Sequence, residues 1–482
     1  MSEKVMAEKI FSVEVGGTFT DWIVVENGRV VATGKVPSTP AAPATGVMRA
    51  AAEALDNLDS VTALIHGSTV ATNAVLERNG AVTAVLTTQG FRDVLQIQRQ
   101  SKTRLFDLFY RQPEPLVPRD RIIEVLERIG PRGEVWHQLE LAGLGDRIRE
   151  LILKSGLESV AICLLHSYAN AEHERKLAHF LEDRFPDLQL TLSSELIPRF
   201  REYERVSTCT IDAYLKPRVA RYIADLETSL QRTRFAGKLS IVQANGGIIP
   251  ATEAREHAAK MILSGPAAGV IGATAAARAS GFDNLLTFDM GGTSTDVCLI
   301  TAGQAEMTNE YKIGGLPLGL PMLDIVTVGA GGGSIATVDS GGALRVGPES
   351  AGADPGPACY GKGGHYFTVT DANAILGLLE PTTFYGGRMP LSIEAATSAL
   401  ETISDPLGMT GEQVAEGVIR LANATMAQAM RLVSIERGYD PRDYTIVAYG
   451  GAGPLHAAAL AKELSIRRVL VPFDPGLMSA YG

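Results

Sequence analysis

A six-residue pattern occurs twice in this 482-residue chain: GGTFTD at 16–21 and GGTSTD at 291–296. Five of the six positions agree, a match expected by chance about once in a thousand chains of this size and composition. The flanks agree as well. KIFSVEV precedes the first copy and NLLTFDM the second, so an acid stands two residues before each glycine pair, Glu14 and Asp289. An apolar run follows each copy, WIVV and VCLI. Each copy therefore reads as a strand, a tight Gly-Gly-Thr turn and an antiparallel strand, with backbone N–H groups exposed at the tip. The chain holds 50 glycines, well above an average usage near 7%. Such an excess belongs where backbone turns sharply or approaches something closely.

A tip of this kind suits phosphate. Gly16, Gly17, Gly291 and Gly292 let the backbone come close, and successive amides form an anion-binding concavity. Thr18, Thr20, Thr293 and Thr295 add hydroxyl donors. Glu14 and Asp289 are candidate holders of Mg²⁺ through its waters, since that ion keeps several. Asp21 and Asp296 can do the same or orient water, and with Asp289 and His66 they make the candidate catalytic set. The competing reading is a pair of ordinary hairpin turns. Residues 444–457 (YTIVAYGGAGPLHA) read as strand, glycine turn and helix start at Pro454. Gly450, Gly451 and Gly453 there would let a flat adenine or ribose lie on backbone. The run 329–334 (GAGGGS), with Gly331 and Gly332, suits a loop bordering a phosphate or substrate. Neither a G-x-x-x-x-G-K-[ST] loop nor a G-x-G-x-x-G opening a βαβ unit near the start is present.

Charge and cysteine content narrow the function. Net charge is −10, which argues against a nucleic-acid-binding surface spread over the molecule. Cys163, Cys209, Cys298 and Cys359 lie far apart without a C-x-x-C, the pattern of buried thiols in a reducing cytoplasm. The N-terminus has no apolar stretch long enough for a signal peptide. No run approaches 18 apolar residues, so no membrane span is expected.

Strand-like and helix-like stretches alternate, as in an α/β protein. Strands are expected at 9–15, 21–26, 29–36, 60–65, 81–87, 158–164, 239–243, 285–289, 296–301 and 444–449. Asn27-Gly28 is a hairpin turn. Helices are expected at 43–56, 171–184, 201–233, 252–279 and 410–437. The stretch 97–140 reads as irregular, and 185–200 holds a weakly marked boundary.

Two GGTxTD hairpins and a late GGAGPLHA resemble the actin, sugar-kinase and heat-shock ATPase superfamily. Further landmarks resemble the hydantoinase A / 5-oxoprolinase family, which includes N-methylhydantoinase A and the β-type subunits of acetone carboxylase. They are HGSTVATNAVLER (66–78), GFRDVLQIQRQ (90–100), REYERVST (201–208), IDAYLKP (211–217), QANGG (243–247), LSGPAAGVIGA (263–273), VGAGGGSIA (328–336), GPESAGADPGPACYG (347–361) and VTDANAILG (369–377). The resemblance implies two related ribonuclease-H-like (actin-like ATPase) domains with a nucleotide cleft between them. It places an N-terminal domain at 9–190 and a second at 200–482. It implies ATP and Mg²⁺ as cofactors and phosphorylation of a cyclic amide for ring opening, in a cytoplasmic hetero-oligomer with a B-type partner subunit. A ketone-carboxylase subunit and a non-catalytic ATP-binding module are the alternatives. No nucleic-acid or membrane partner is implied.

This chain departs from the family pattern at Glu14, where Asp is usual, and at Val326, where many members have His. It ends at VPFDPGLMSAYG, where many relatives continue into a further C-terminal domain. Asp324 and Asp371 are additional candidate bases or metal contacts, and Cys359 a weaker candidate nucleophile. Arg99, Arg104 and Arg111 suit an acidic group or a partner. Arg201, Glu202, Glu204 and Arg205 are expected to form surface pairs along a helix.

Overall fold

The structure is a computed structural model that describes residues 8–39, 42–102 and 105–482. It divides into two compact units interleaved along the chain. The first takes in the chain up to Ile10, Ala41–Ser264 and Met307–Met322. The second takes in Phe11–Pro40, Gly265–Glu306 and Leu323–Gly482. Both GGTxTD copies thus fall in the second unit, whereas the sequence domains place one copy in each half of the chain.

In the first unit, four parallel strands run in the order Gln189–Leu192, Ser159–Cys163, Thr83–Thr88, Ile122–Val125. Alternation along these strands gives the sheet two apolar faces. Ala84, Leu86, Val160 and Ile162 pack with Ile148, Leu151, Leu177 and Leu181. Val85, Ala161 and Cys163 pack with Val206, Cys209 and Ala213 of the 31-residue helix Glu202–Arg232. The same helix sends Ile211, Leu215 and Ile223 into a second apolar cluster. Strand Ile122–Val125 lies inside the stretch expected to be irregular, and helix Leu144–Ser155 was not legible in the pattern.

The second unit carries a sheet ordered Gln304–Ala305, Thr295–Thr301, Leu285–Met290, Thr445–Tyr449, Val469–Leu470, with Ile325–Val328 also paired to Thr295–Thr301. Strands Leu285–Met290 and Thr295–Thr301 are antiparallel, while Leu285–Met290 and Thr445–Tyr449 are parallel. Leu286, Phe288, Met290, Ile446 and Ala448 face the helices Gly411–Val433 and Gly453–Glu463. Leu285, Cys298, Ile300, Val447 and Tyr449 face Ala267, Val270, Ala273 and Ala277 of helix Ser264–Ala279. Each fully buried large apolar side chain contributes roughly 1.5–3 kcal/mol. The unit also holds most of strand Lys9–Val15 and the antiparallel pair Phe19–Glu26 and Arg29–Pro37. Asn27 and Gly28 both have positive φ, 51° and 75°, as a primed hairpin turn requires.

The expected helix 252–279 is three pieces: Ala251–Glu256, a 3-10 turn at Ala258–Met261 and Ser264–Ala279. Leu263 takes a left-handed φ of 59°, and Pro266 starts the last piece afresh. Pro is tolerated in a first helical turn but not in an interior. Arg205, expected on the surface, is fully buried. Its guanidinium donates to Glu202, 2.6 Å away, and to Leu164 O, Ser167 and Ser193. No helix among the described residues is long and apolar enough to cross a membrane.

Candidate active site

The two GGTxTD copies fold into turns closed by the same bond. Gly16 N donates to Phe19 O at 3.0 Å, and Gly291 N donates to Ser294 O at 3.1 Å. Gly17, Gly291, Gly292 and Thr293 are exposed, and Gly16 and Thr18 are half-buried. Among the described residues, the amides of Gly17, Gly292 and Thr293 have no backbone acceptor. They are free to meet an anion. Thr20 and Thr295 are not: both are fully buried. Thr20 Oγ1 shares a hydrogen bond with Ser38 Oγ, and Thr295 Oγ1 donates to Ala330 O. These hydroxyls brace the turns and face no solvent.

The glycine run 329–333 braces the second turn from behind. Gly332 N donates to Gly291 O at 3.0 Å and Gly333 N to Gly292 O at 2.6 Å. A Cβ at Gly331 would stand 2.6 Å from the carbonyl carbon of Thr293. Gly331 N is taken by Ser334 Oγ at 2.9 Å. Gly332 and Gly333 therefore hold the hairpin with their amides, and Gly331 spends its own on Ser334; neither Gly331 nor Gly332 offers an amide outward.

The third glycine loop meets the second hairpin at its acid. Gly450 has φ +79°, and a Cβ there would lie 2.2 Å from Asp289 Oδ1. Ala452 N donates to Met290 O at 3.0 Å, and helix Gly453–Glu463 starts beside this strand. Gly451 faces open space.

Four carboxylates gather around these turns. Burial raises Glu14 to about 8, with repulsion from Asp21 and Asp289 adding to it. Burial likewise raises Asp289 to about 8, helped by Asp296 and Asp21, and raises Asp296 to about 6. Asp21 is also raised by burial, against the pull of Lys35. Lys35 Nζ lies 2.9 Å from Asp21 Oδ1 and donates to Gly476 O at 3.2 Å. Asp296 instead accepts from the Thr327 hydroxyl. Lys35 is the one cation acting on Glu14, Asp21 and Asp289 among the described residues. The donor set therefore has room for further positive charge. No three His, Cys, Asp or Glu among the described residues stand close enough to chelate a metal. Such a set fits a divalent ion held through its waters, as Mg²⁺ is usually held.

Lys35 and Ser38 were not among the sequence candidates. Counting outward from Asn27-Gly28 pairs Asp21 with Gly34. A bulge between Val24 and Val25 moves the register by one and puts Lys35 opposite Asp21.

The remaining candidates make contacts of their own. His66 belongs to the first unit, is fully buried and hydrogen-bonds Tyr222 Oη through Nε2. Asp371 caps helix Val369–Ile375 and accepts from the amides of Cys359 and Thr368 at 2.7 and 2.9 Å, so it is a structural hub. Asp324 pairs with Arg437. All four cysteines are buried and free, and burial pushes the Cys359 thiol up, away from a nucleophilic thiolate. Arg99 pairs with Glu204. Arg104 lies outside the described residues.

Residues 10–185 match the Hydantoinase/oxoprolinase N-terminal region, and residues 205–482 match Hydantoinase/oxoprolinase. The chain belongs to the hydantoinase/oxoprolinase family. It is 42% identical to an uncharacterized protein of Methanocaldococcus jannaschii, over 98% of this chain and 71% of that protein. It is 37% identical to caprolactamase subunit alpha of Pseudomonas jessenii, over 98% and 69%. The solved ATP-dependent caprolactamase of Pseudomonas jessenii superposes with a TM-score of 0.85 at 36% identity, covering 98% of this chain and 70% of that one. Nucleotide-free acetone carboxylase superposes with a TM-score of 0.86 at 29% identity, with the same coverage. The fold is the mixed α/β fold of these enzymes.

Proposed function

We propose that this chain uses ATP to phosphorylate the carbonyl oxygen of a cyclic amide, such as a hydantoin, 5-oxoproline or a lactam, for hydrolytic ring opening. The observation that carries this reading is the pair of identically closed turns, with free amides at their tips and four carboxylates behind them. Transfer to an amide oxygen turns an unreactive carbonyl into an imidate-like phosphate with a good leaving group. The chain's own contribution is positioning and charge stabilisation. The amides of Gly17, Gly292 and Thr293 hold phosphoryl oxygens, with the Thr18 and Thr293 hydroxyls beside them. Gly450, Gly451 and Gly453 seat the adenosine portion against backbone. Glu14 and Asp289 would hold Mg²⁺ through water, and that ion would offset phosphate charge. Asp21 and Asp296 would do likewise or orient water.

The actin-like ATPase architecture of two related ribonuclease-H-like domains, with sequence domains at 9–190 and 200–482, is part of this proposal. The internal repeat supports it. So are a B-type partner subunit in a hetero-oligomer and a cytoplasmic setting, which four buried free thiols suit. Ketone activation for carboxylation is the second reading, favoured by the likeness to acetone carboxylase.

Calorimetry with ATP and Mg²⁺ is the first test, and absence of binding would sink the proposal. ADP release is then measured with a panel of cyclic amides and ketones, with and without a B-type subunit. Amide-stimulated release with ring-opened product supports the first reading; ketone-stimulated, bicarbonate-dependent release supports the second.

A further inference from the structure

The glutamate at position 14 is longer than the aspartate at the equivalent position of the second hairpin, yet each carboxylate rests against a glycine. Glu14 is 6% exposed and its carboxylate lies between two glycines. A Cβ at Gly265 would stand 2.6 Å from Glu14 Oε1 and 3.3 Å from its carboxyl carbon, and a Cβ at Gly16 would stand 3.4 Å from Oε2. In the second hairpin, a Cβ at Gly450 would stand 2.2 Å from Asp289 Oδ1, and there also 2.5 Å from Met290 O. Gly265 and Gly450 each lie at or beside the start of a helix with Gly-Pro in its first turn, Gly265-Pro266 in Ser264–Ala279 and, three residues after Gly450, Gly453-Pro454 in Gly453–Glu463.

We infer that Gly265 is a positioning residue: its missing side chain is the notch that lets a glutamate reach across from the first strand and bring its carboxylate to rest beneath the Gly16-Gly17 turn. The atom a methyl group would strike is the far end of a flexible side chain. A Gly265→Ala substitution therefore displaces the Glu14 carboxylate rather than the backbone. An aspartate at 14 ends short of the notch and leaves it empty. The strain of a non-glycine residue before proline is carried by every variant that includes Gly265→Ala, whichever acid stands at 14, so it cancels in a double-mutant comparison.

This inference rests on the proposed nucleotide site, and its test separates the two. Gly265→Ala, Glu14→Asp and the double variant are compared by calorimetric affinity for Mg·ADP, by melting temperature in EDTA, and by a crystal structure of Gly265→Ala. We expect Gly265→Ala to weaken Mg·ADP at least tenfold, with the Glu14 carboxylate turned away from position 265. We expect the double variant to bind within about threefold of Glu14→Asp alone. Independent, multiplying losses overturn the inference, as does an unmoved Glu14 carboxylate in the crystal. If the wild-type chain binds no nucleotide, the functional reading fails instead. The crystal of Gly265→Ala still decides whether position 265 seats Glu14.

Discussion

The two hairpins share five of six residues and the same closing hydrogen bond, yet they stand in different electrostatic and mechanical surroundings. In the first, Asp21 faces Lys35 across the sheet; in the second, Asp296 faces Thr327. One acid is answered by a full charge and the other by a hydroxyl. The bracing differs too. Ser38 holds the first turn with both side chain and backbone, donating from Oγ to Gly16 O at 2.8 Å and from N to Thr18 O at 3.0 Å. The second is held by a facing loop, through the amides of Gly332 and Gly333 and the Thr295 hydroxyl on Ala330 O. A repeated motif thus specifies a turn, while the strand opposite specifies its charge. Lys35 acts on Asp289 but pairs with Asp21, and Asp296 has only a hydroxyl opposite it, so the second hairpin is the one where added positive charge gains most.

The sharpest way to break this comparison is to neutralise one acid at a time. Asp289→Asn should lower substrate-stimulated ATP turnover on the order of 10²–10³-fold, the scale of losing a preorganised electrostatic group. Glu14→Gln should cost less, because Lys35 already offsets the first hairpin. Equal losses in steady-state assays would erase the asymmetry.

A second contrast lies in two helices packed in the same unit. Helix Ser264–Ala279 has Arg278 as its sole ionisable residue, but Gly453–Glu463 buries His456. The imidazole donates from Nδ1 to Asn423 Oδ1 at 2.7 Å, and its Nε2 has no partner among the described residues. Burial lowers its pKa to about 4, below the 6.5 of an ordinary histidine. The unfolded chain therefore takes up this proton first. The contribution is whole above pH 6.5 and is lost as pH falls toward 4, on the order of 3 kcal/mol over that span. Chemical denaturation of wild type and His456→Gln across that range should show the difference; parallel pH profiles would contradict it.

The bracing contrast predicts a smaller pair of effects. Gly331→Ala drives a methyl group into the backbone of Thr293 and should cost about 1–3 kcal/mol of stability. Ser38→Ala removes one brace and should cost about 1 kcal/mol. A larger loss for Ser38→Ala than for Gly331→Ala in urea melts would overturn this order. Smallest of all is Gly17→Ala. Its Cβ meets nothing within 4 Å, so stability should move by less than about 0.5 kcal/mol. ATP affinity should fall several-fold if this amide touches phosphate, and an unchanged calorimetric affinity would remove Gly17 from the site.

Much of this was legible in the residues. Local patterns name local structure: the Asn27-Gly28 turn, the strands on either side of each glycine pair and the helix beginning at Gly453-Pro454 all depend on nearby residues. Reading failed where a contact came from far along the chain. Arg205 looks like a surface residue by charge spacing, but its buried partners at 164, 167 and 193 come from other elements. Thr20 and Thr295 look like ligand donors beside a turn, but residues 38 and 330 claim their hydroxyls. His66 looks like a site residue because it precedes a polar loop, and Tyr222 holds it in the core.

By itself the sequence determined that two strand–turn–strand units exist, where their glycines lie and which acids accompany them, because a tight turn and a short alternation are encoded within a dozen residues. Tertiary structure decided which of those groups stay free to act. The bulge at Val24 and Val25 brings Lys35 rather than Gly34 to Asp21, Gly332 and Gly333 spend their amides on the second turn, and Gly265 leaves room for Glu14. Each outcome depends on register or close approach between distant segments, and neither quantity is written in local spacing.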